Sequence, residues 1–238
     1  MGIEVWVRRD VPVVEAVDET VVPVDAEPAP VPAEPVVEPV SPAVPGGEVA
    51  SLDWAALEAR VADCTLCDLH AGRTQAVFGV GQREARLMFV GEAPGAEEDR
   101  QGEPFVGRAG KLLDAMLRAI GRDRSSVYIA NILKCRPPNN RDPKPEEAAA
   151  CTPYLWRQIA LVQPDLIVAL GRIAAQRLLD TSSSLARLRG TVHELAPTGT
   201  PLVVTYHPAY LLRSPGEKRK AWQDLKFARD FVARRSAS

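Results

Sequence analysis

Four short aliphatic runs, at residues 86–90, 127–131, 165–170 and 202–206, are apolar at consecutive positions rather than at alternate ones. A strand with one wet face alternates, whereas a strand covered on both faces does not, and covered strands belong to parallel sheets sandwiched by helices. Helical patterns fall between and after these runs. Residues 111–120 place Leu112, Met116 and Ile120 on one side, and residues 217–235 do the same with Trp222, Leu225, Ala228 and Val232. Two more cover residues 172–179 and the 146–162 region, where Pro153 is expected to kink the helix or start a new one. Such alternation predicts a three-layer α/β/α fold around a four-stranded parallel sheet.

The first fifty residues are a different kind of text. They hold nine of the chain's 21 prolines, in stretches such as Pro28-Ala29-Pro30-Val31-Pro32, and show no helical period. A disordered, partly polyproline-like tail over residues 1–50 is the expectation, with the folded body at 51–238. Ser51 is expected to cap a helix in which Trp54, Leu57 and Val61 share a face. The tail carries ten acids against Arg8 and Arg9, a net −8, so the chain's overall −2 leaves +6 on the body. A basic body suits a polyanionic partner; nothing in the text names a partner for the tail. No apolar run reaches the ~20 residues of a membrane span, and no basic stretch leads into an apolar one at the N-terminus. A cytoplasmic chain is the expectation.

Ligands of open parallel sheets bind beyond the carboxyl ends of the strands. Here those ends read Gly91-Glu92-Ala93-Pro94-Gly95, then Asn131, then Gly171, then His207-Pro208. An acid, an amide, an imidazole and a Gly-rich turn should therefore meet on one edge. Each has an ordinary structural use, as a cap, a turn or a packed ring; their coincidence at strand ends points to a site.

All four cysteines, Cys64, Cys67, Cys135 and Cys151, lie in the body. Without a secretory signal, structural disulfides are disfavoured. A Cys-x-x-Cys pair closed by two distant thiolates meets the demand of a four-thiolate metal site, and both zinc and a [4Fe–4S] cluster fit the count.

Several motifs in order resemble one family. Cys64-x-x-Cys67, Gly79 and Gly81, and Gly91-Glu-Ala-Pro-Gly-Ala-Glu-Glu-Asp99 are followed by Gly102-Glu-Pro-Phe-Val-Gly-Arg-Ala-Gly110. Asn131-Ile-Leu-Lys-Cys-Arg-Pro-Pro138 and His207-Pro-Ala-Tyr-Leu-Leu-Arg213 complete the set. Over residues 52–235 the chain resembles a family-4 uracil-DNA glycosylase, the iron–sulfur branch of that superfamily. The resemblance implies a [4Fe–4S] cluster on Cys64, Cys67, Cys135 and Cys151. It also implies base-excision repair of DNA, with uracil removed and no strand cut; the partner expected is uracil-containing DNA, single- or double-stranded, and the expected state is a monomer. By the same resemblance Phe105 stacks on the extruded base and Asn131 bonds its polar edge. The backbone of Glu92 and Ala93 lines the pocket, and His207 reaches uracil O2.

These residue types suit that chemistry. A base must leave the duplex to be reached, at a cost of a few kcal/mol, and stacking on an aromatic ring returns ~1–3 kcal/mol. An amide matches the adjacent donor and acceptor of uracil, which cytosine reverses. A donor at O2 stabilises the departing anion, as in an oxyanion hole. Water activation is less direct. Better-known relatives carry Asp or Asn near the position of Ala93, and alanine can neither orient nor deprotonate water. Glu92 is the nearest candidate, with Glu98 and Asp99 behind it. Arg108, Lys111 and Arg213 are candidate phosphate contacts. Leu211 and Leu212 are candidates either to wedge into the base stack or to pack inward.

Three rival readings fit the residues less well. Superfamily relatives that trap uracil-containing DNA covalently use a histidine after the second strand and a Gln after the Gly-Glu pair; residues 132–150 hold no histidine, and Ala93 follows Glu92. A zinc-stapled DNA-binding module leaves Glu92, Asn131 and His207 without a purpose. A dinucleotide enzyme would need a G-x-G-x-x-G turn, which the first strand lacks.

Overall fold

The computed structural model describes residues 47–196 and 198–236 of the 238-residue chain. Most of the expected tail, residues 1–46, lies outside the described part. The body begins slightly before residue 51: Gly47–Ser51 form a 3-10 turn, and Val49 and Leu52 pack on the core. Ser51 is spent inside that turn, its hydroxyl donating to the Glu48 carbonyl. The cap of the first helix, α1 (Trp54–Ala62), is instead Asp53, whose Oδ1 accepts the Ala56 N–H at 2.8 Å. Leu57 and Val61 of α1 are buried, as their spacing requires. A single turn, α2 (Leu69–Gly72), comes next.

The four expected strands are present and parallel, and two short antiparallel strands extend the sheet to six among the described residues. The strands are β1 (Val80–Gly81), β2 (Leu87–Gly91), β3 (Tyr128–Asn131), β4 (Leu166–Leu170), β5 (His193–Leu195) and β6 (Thr200–Thr205), in the order β1-β3-β2-β4-β6-β5. Both additions, β1 and β5, sit on the edges. They are two and three residues long and only partly buried, so no aliphatic run marks them in the sequence.

Alternation reappears once the two faces are told apart. Met88 and Val90 of β2 face one core with Leu57, Leu155 and Ile159, while Leu87 and Phe89 face the other with Leu113, Leu117 and Leu225. One layer is α1, α5 (Pro145–Val162) and α6 (Arg172–Leu178), joined by the turn α7 (Leu185–Leu188). The other is α4 (Arg108–Ala119), α8 (Pro208–Arg213) and α9 (Lys218–Ser236); α3 (Ala96–Gln101) lies between β2 and α4. Pro153 neither ends α5 nor begins a new helix: the helix runs through it for 18 residues. An interior proline costs about 3 kcal/mol, and the buried Ala148, Cys151, Tyr154, Leu155, Ile159 and Val162 of α5 outweigh that.

Candidate active site

The carboxyl ends of β3, β2, β4 and β6 are neighbours, so the residues just beyond these strands share one edge. Gly91 pairs with Asn131 in register. The backbone then holds its course, because Ile132 and Leu133 donate to the Gly91 and Glu92 carbonyls, each at 3.0 Å. A cavity of about 410 Å³ opens above this edge. Glu92, Ala93, Phe105, Asn131 and His207 all line it, so residues up to 115 positions apart in the chain share one space. Asn140, Asp142 and Tyr210 line it as well. Sequence reasoning passed over these three, which sit in loops or a short helix with no period to advertise them.

Phe105 is held in place at some cost. Its φ is +55°, a region that side chains other than glycine rarely enter. Two arrangements enforce it. Gly110 gives room, since a Cβ there would lie 1.7 Å from the Phe105 carbonyl oxygen. Arg124 reaches back to donate to the Pro104 carbonyl at 2.7 Å and the Phe105 carbonyl at 3.1 Å. The ring then stands 5.5 Å from the His207 ring at a tilt of 34°. Gly91 completes the floor: a Cβ there would meet Asn131 Oδ1 at 2.4 Å and Phe105 Cζ at 2.6 Å.

His207 precedes α8 as its cap. Its Nδ1 accepts the Ala209 N–H at 3.1 Å, so in the neutral ring the proton sits on Nε2. Burial, with help from the Arg213 charge and against Glu98, pushes its pKa down to about 4. Around pH 7 it is a neutral donor. Glu92 moves the opposite way: burial and the Asp142 charge, opposed by Arg172, raise it to about 7. Asn131 is buried, and its Oδ1 has no hydrogen-bond partner among the described residues. Such an acceptor is costly unless a ligand donor meets it.

The two acids behind Glu92 are occupied. Glu98 accepts from the backbone of Gly95, Val106 and Gly107, stitching the turn after β2 to the Phe105 loop. Asp99 accepts from the Thr74 N–H and hydroxyl. Both shape the wall. Arg213 is exposed at the cavity mouth; Arg108 and Lys111 are exposed on the first turn of α4, outside the lining. Leu211 is 1% exposed and packs into the core, whereas Leu212 and Tyr210 are exposed. Of the two leucines, only Leu212 is placed to touch anything outside the fold.

The cysteines gather elsewhere. Cys64, Cys67, Cys135 and Cys151 border one small hollow between α1, α5 and the chain after β3, and none is in a disulfide. Among the described residues no three side chains of His, Cys, Asp or Glu converge closely enough for a single metal ion, while all four cysteines line the same hollow. Burial pushes the Cys151 thiol up to about 12 and raises Cys135 too. A bound cation would displace those protons.

Comparison with known proteins identifies the family. Residues 78–226 match the family model described as the uracil DNA glycosylase superfamily. The chain is 48% identical over 172 residues to a type-4 uracil-DNA glycosylase of Archaeoglobus fulgidus, covering 70% of this chain and 86% of that one. It is 47% identical over 176 residues to the type-4 enzyme of Thermotoga maritima, covering 73% and 91%. A type-5 uracil-DNA glycosylase of Thermus thermophilus is 34% identical over 149 residues, covering 55% and 68%. With the family model spanning more than half its length and type-4 relatives 47–48% identical over 70–73% of it, this chain belongs to the type-4 uracil-DNA glycosylases of the uracil DNA glycosylase superfamily.

Proposed function

We propose that this protein hydrolyses the N-glycosidic bond between uracil and deoxyribose in DNA, leaving an abasic site. The unpartnered Asn131 Oδ1, buried in a cavity walled by Phe105 and His207, carries the reading. Uracil N3–H supplies the missing donor, and the amide N–H of the same side chain meets O4. Cytosine offers an acceptor and an amine at those positions, leaving Asn131 unsatisfied; a buried unmade bond costs about 1–3 kcal/mol. Phe105 stacks on the base. His207 Nε2–H donates to O2.

The bond from N1 to C1′ breaks with its electron pair passing to the uracil ring and O2, where the His207 donor stabilises the developing charge. A neutral donor leaves the anion free to depart rather than holding it as an ion pair. Water adds to C1′ and gives up a proton. Glu92, about half ionised near pH 7, is the acceptor we assign, because Ala93 has no polar atom to offer. Arg213 at the mouth, and Arg108 and Lys111 beside it, contact backbone phosphates.

We further assign the four cysteines as the ligands of a [4Fe–4S] cluster, supported by their shared hollow. When bound, the cluster supplies a structural tie between α1, the β3 exit and α5; no step of the hydrolysis passes through it. Zinc would require four sulfurs about 2.3 Å from one point.

The test uses identical oligonucleotides carrying uracil, thymine, cytosine or hypoxanthine, followed by alkali to cut abasic sites. Cleavage with uracil and none with cytosine is expected. Equal cleavage of uracil and cytosine strands would refute the role given to Asn131. A heat-stable protein–DNA adduct in place of turnover would make the chain a covalent trap instead.

A further inference from the structure

Lys134 is 1% exposed, and the hydrolysis makes no use of it. Its ammonium donates to the Asn131 carbonyl at 2.8 Å and to Gln158 Oε1 at 2.6 Å, both neutral acceptors. Gln158 is fixed in turn by donating to the Phe78 carbonyl and the Tyr128 hydroxyl. Among the described residues no carboxylate pairs with Lys134; the ionisable groups facing it are the Cys151 and Cys135 thiols. Its own backbone N–H donates to Cys151 Sγ at 3.2 Å. A second cation approaches from the other side: Arg73 Nη1 donates to Cys135 Sγ at 3.1 Å and to the Cys64 carbonyl at 3.0 Å, and Nη2 donates to the Ala62 carbonyl.

A buried ammonium with only neutral partners is expensive. The expense is removed if the cysteine hollow carries negative charge. A [4Fe–4S] cluster on four thiolates carries roughly two negative charges in its common oxidised state, and this hollow is flanked by two cations. We propose that Lys134 and Arg73 are the counter-charges of the cluster, and that Lys134, bonded to the Asn131 carbonyl, is a positioning residue joining the cluster wall to the base-recognising amide. Four positions separate Asn131 from Cys135, and Lys134 closes that short segment on itself.

This rests on the cluster assignment, and the experiment keeps the two apart. Holoprotein is purified without oxygen as wild type, Lys134→Met, Lys134→Gln, Lys134→Arg and Arg73→Gln. Iron content, decay of the visible absorbance band in air and inhibition by free uracil are then measured. Lys134→Met and Arg73→Gln are expected to lose the band at least threefold faster than wild type, with Lys134→Arg retaining most of the protection. Lys134→Met should also weaken inhibition by free uracil several-fold, while Arg73→Gln, which does not touch Asn131, leaves it unchanged. Band decay as slow as wild type in Arg73→Gln, and in Lys134→Met where that variant folds, would overturn the counter-charge proposal. Uracil inhibition unaltered in Lys134→Met would remove the positioning role. If Lys134→Met does not fold, Lys134→Gln decides that role: its shorter, uncharged head loses the charged bond to the Asn131 carbonyl, so wild-type inhibition would remove it. Wild-type protein without iron would overturn the cluster assignment itself.

Discussion

Substituting Gly91 by alanine adds one methyl group at the point where the Asn131 amide and the Phe105 ring meet. That carbon would lie 2.4 Å from Asn131 Oδ1, and 2.6 and 2.8 Å from Phe105 Cζ and Cε2. Carbon atoms pack comfortably near 3.5–4.0 Å, so the ring has to retreat by about 1 Å. It has no easy way back. Phe105 already sits at φ +55°, its carbonyl is pressed against Gly110 and gripped by Arg124, and its ring leans on His207. Overpacking of this sort costs about 1–3 kcal/mol in stability. A displacement near 1 Å within a reacting constellation costs on the order of 100-fold in rate. We therefore expect Gly91→Ala to fold, with an unfolding midpoint lowered by several degrees, and to lose about 100-fold in kcat/KM on a uracil-containing oligonucleotide. Single-turnover excision and thermal unfolding on the same preparation separate the two effects. A variant within threefold of wild type in kcat/KM would mean that Phe105 and Asn131 are not held as described, and the inference from their rigidity would fail.

The same geometry sets four further outcomes. Because burial raises Glu92 to about 7 and the proposed role as proton acceptor needs it ionised, kcat/KM should climb tenfold per pH unit below about 7 and level off above it; Glu92→Gln should remove that limb and cut excision far more than DNA binding. The raised pKa also means that folding favours the protonated acid, so its stabilising contribution is present at low pH and lost as pH rises through about 7. Glu92→Gln should accordingly be at least as stable as wild type at pH 8, and a lower unfolding midpoint there would contradict the assignment. Arg124→Ala, which frees the Pro104 and Phe105 carbonyls, should weaken inhibition by free uracil and lower kcat/KM about tenfold together, measured by steady-state excision. Leu211→Ala should cost about 2–5 kcal/mol in chemical denaturation while active enzyme keeps its kcat, because the side chain fills the core and does not enter DNA.

Much of this architecture is legible because burial on two faces leaves an unmistakable mark. The aliphatic runs that form β2, β3, β4 and β6 match those strands to within two residues of their ends, and the residues at or just past those ends, Glu92, Asn131 and His207, do share a cavity. The edge strands β1 and β5 escape a reading of this kind, since short, half-exposed strands carry no aliphatic signature. Ser51 has the chemistry of a cap, but a 3-10 turn consumes its hydroxyl and leaves Asp53 to take the role. Pro153 has the chemistry of a break, yet the buried side of α5 is strong enough to carry a proline.

Residue order and type alone determined the four covered strands, the helices between and after them, which residues stand at the strand ends and that four thiols are available, since these depend on local periodicity and side-chain chemistry. Only the tertiary structure decided how those groups behave. Glu92 is raised and His207 lowered by burial, Asn131 is left without a partner, and Leu211 turns inward while Lys134 is buried facing two cysteines. Electrostatic energy depends on distance and on exclusion of water, and both are set by segments far apart in the chain.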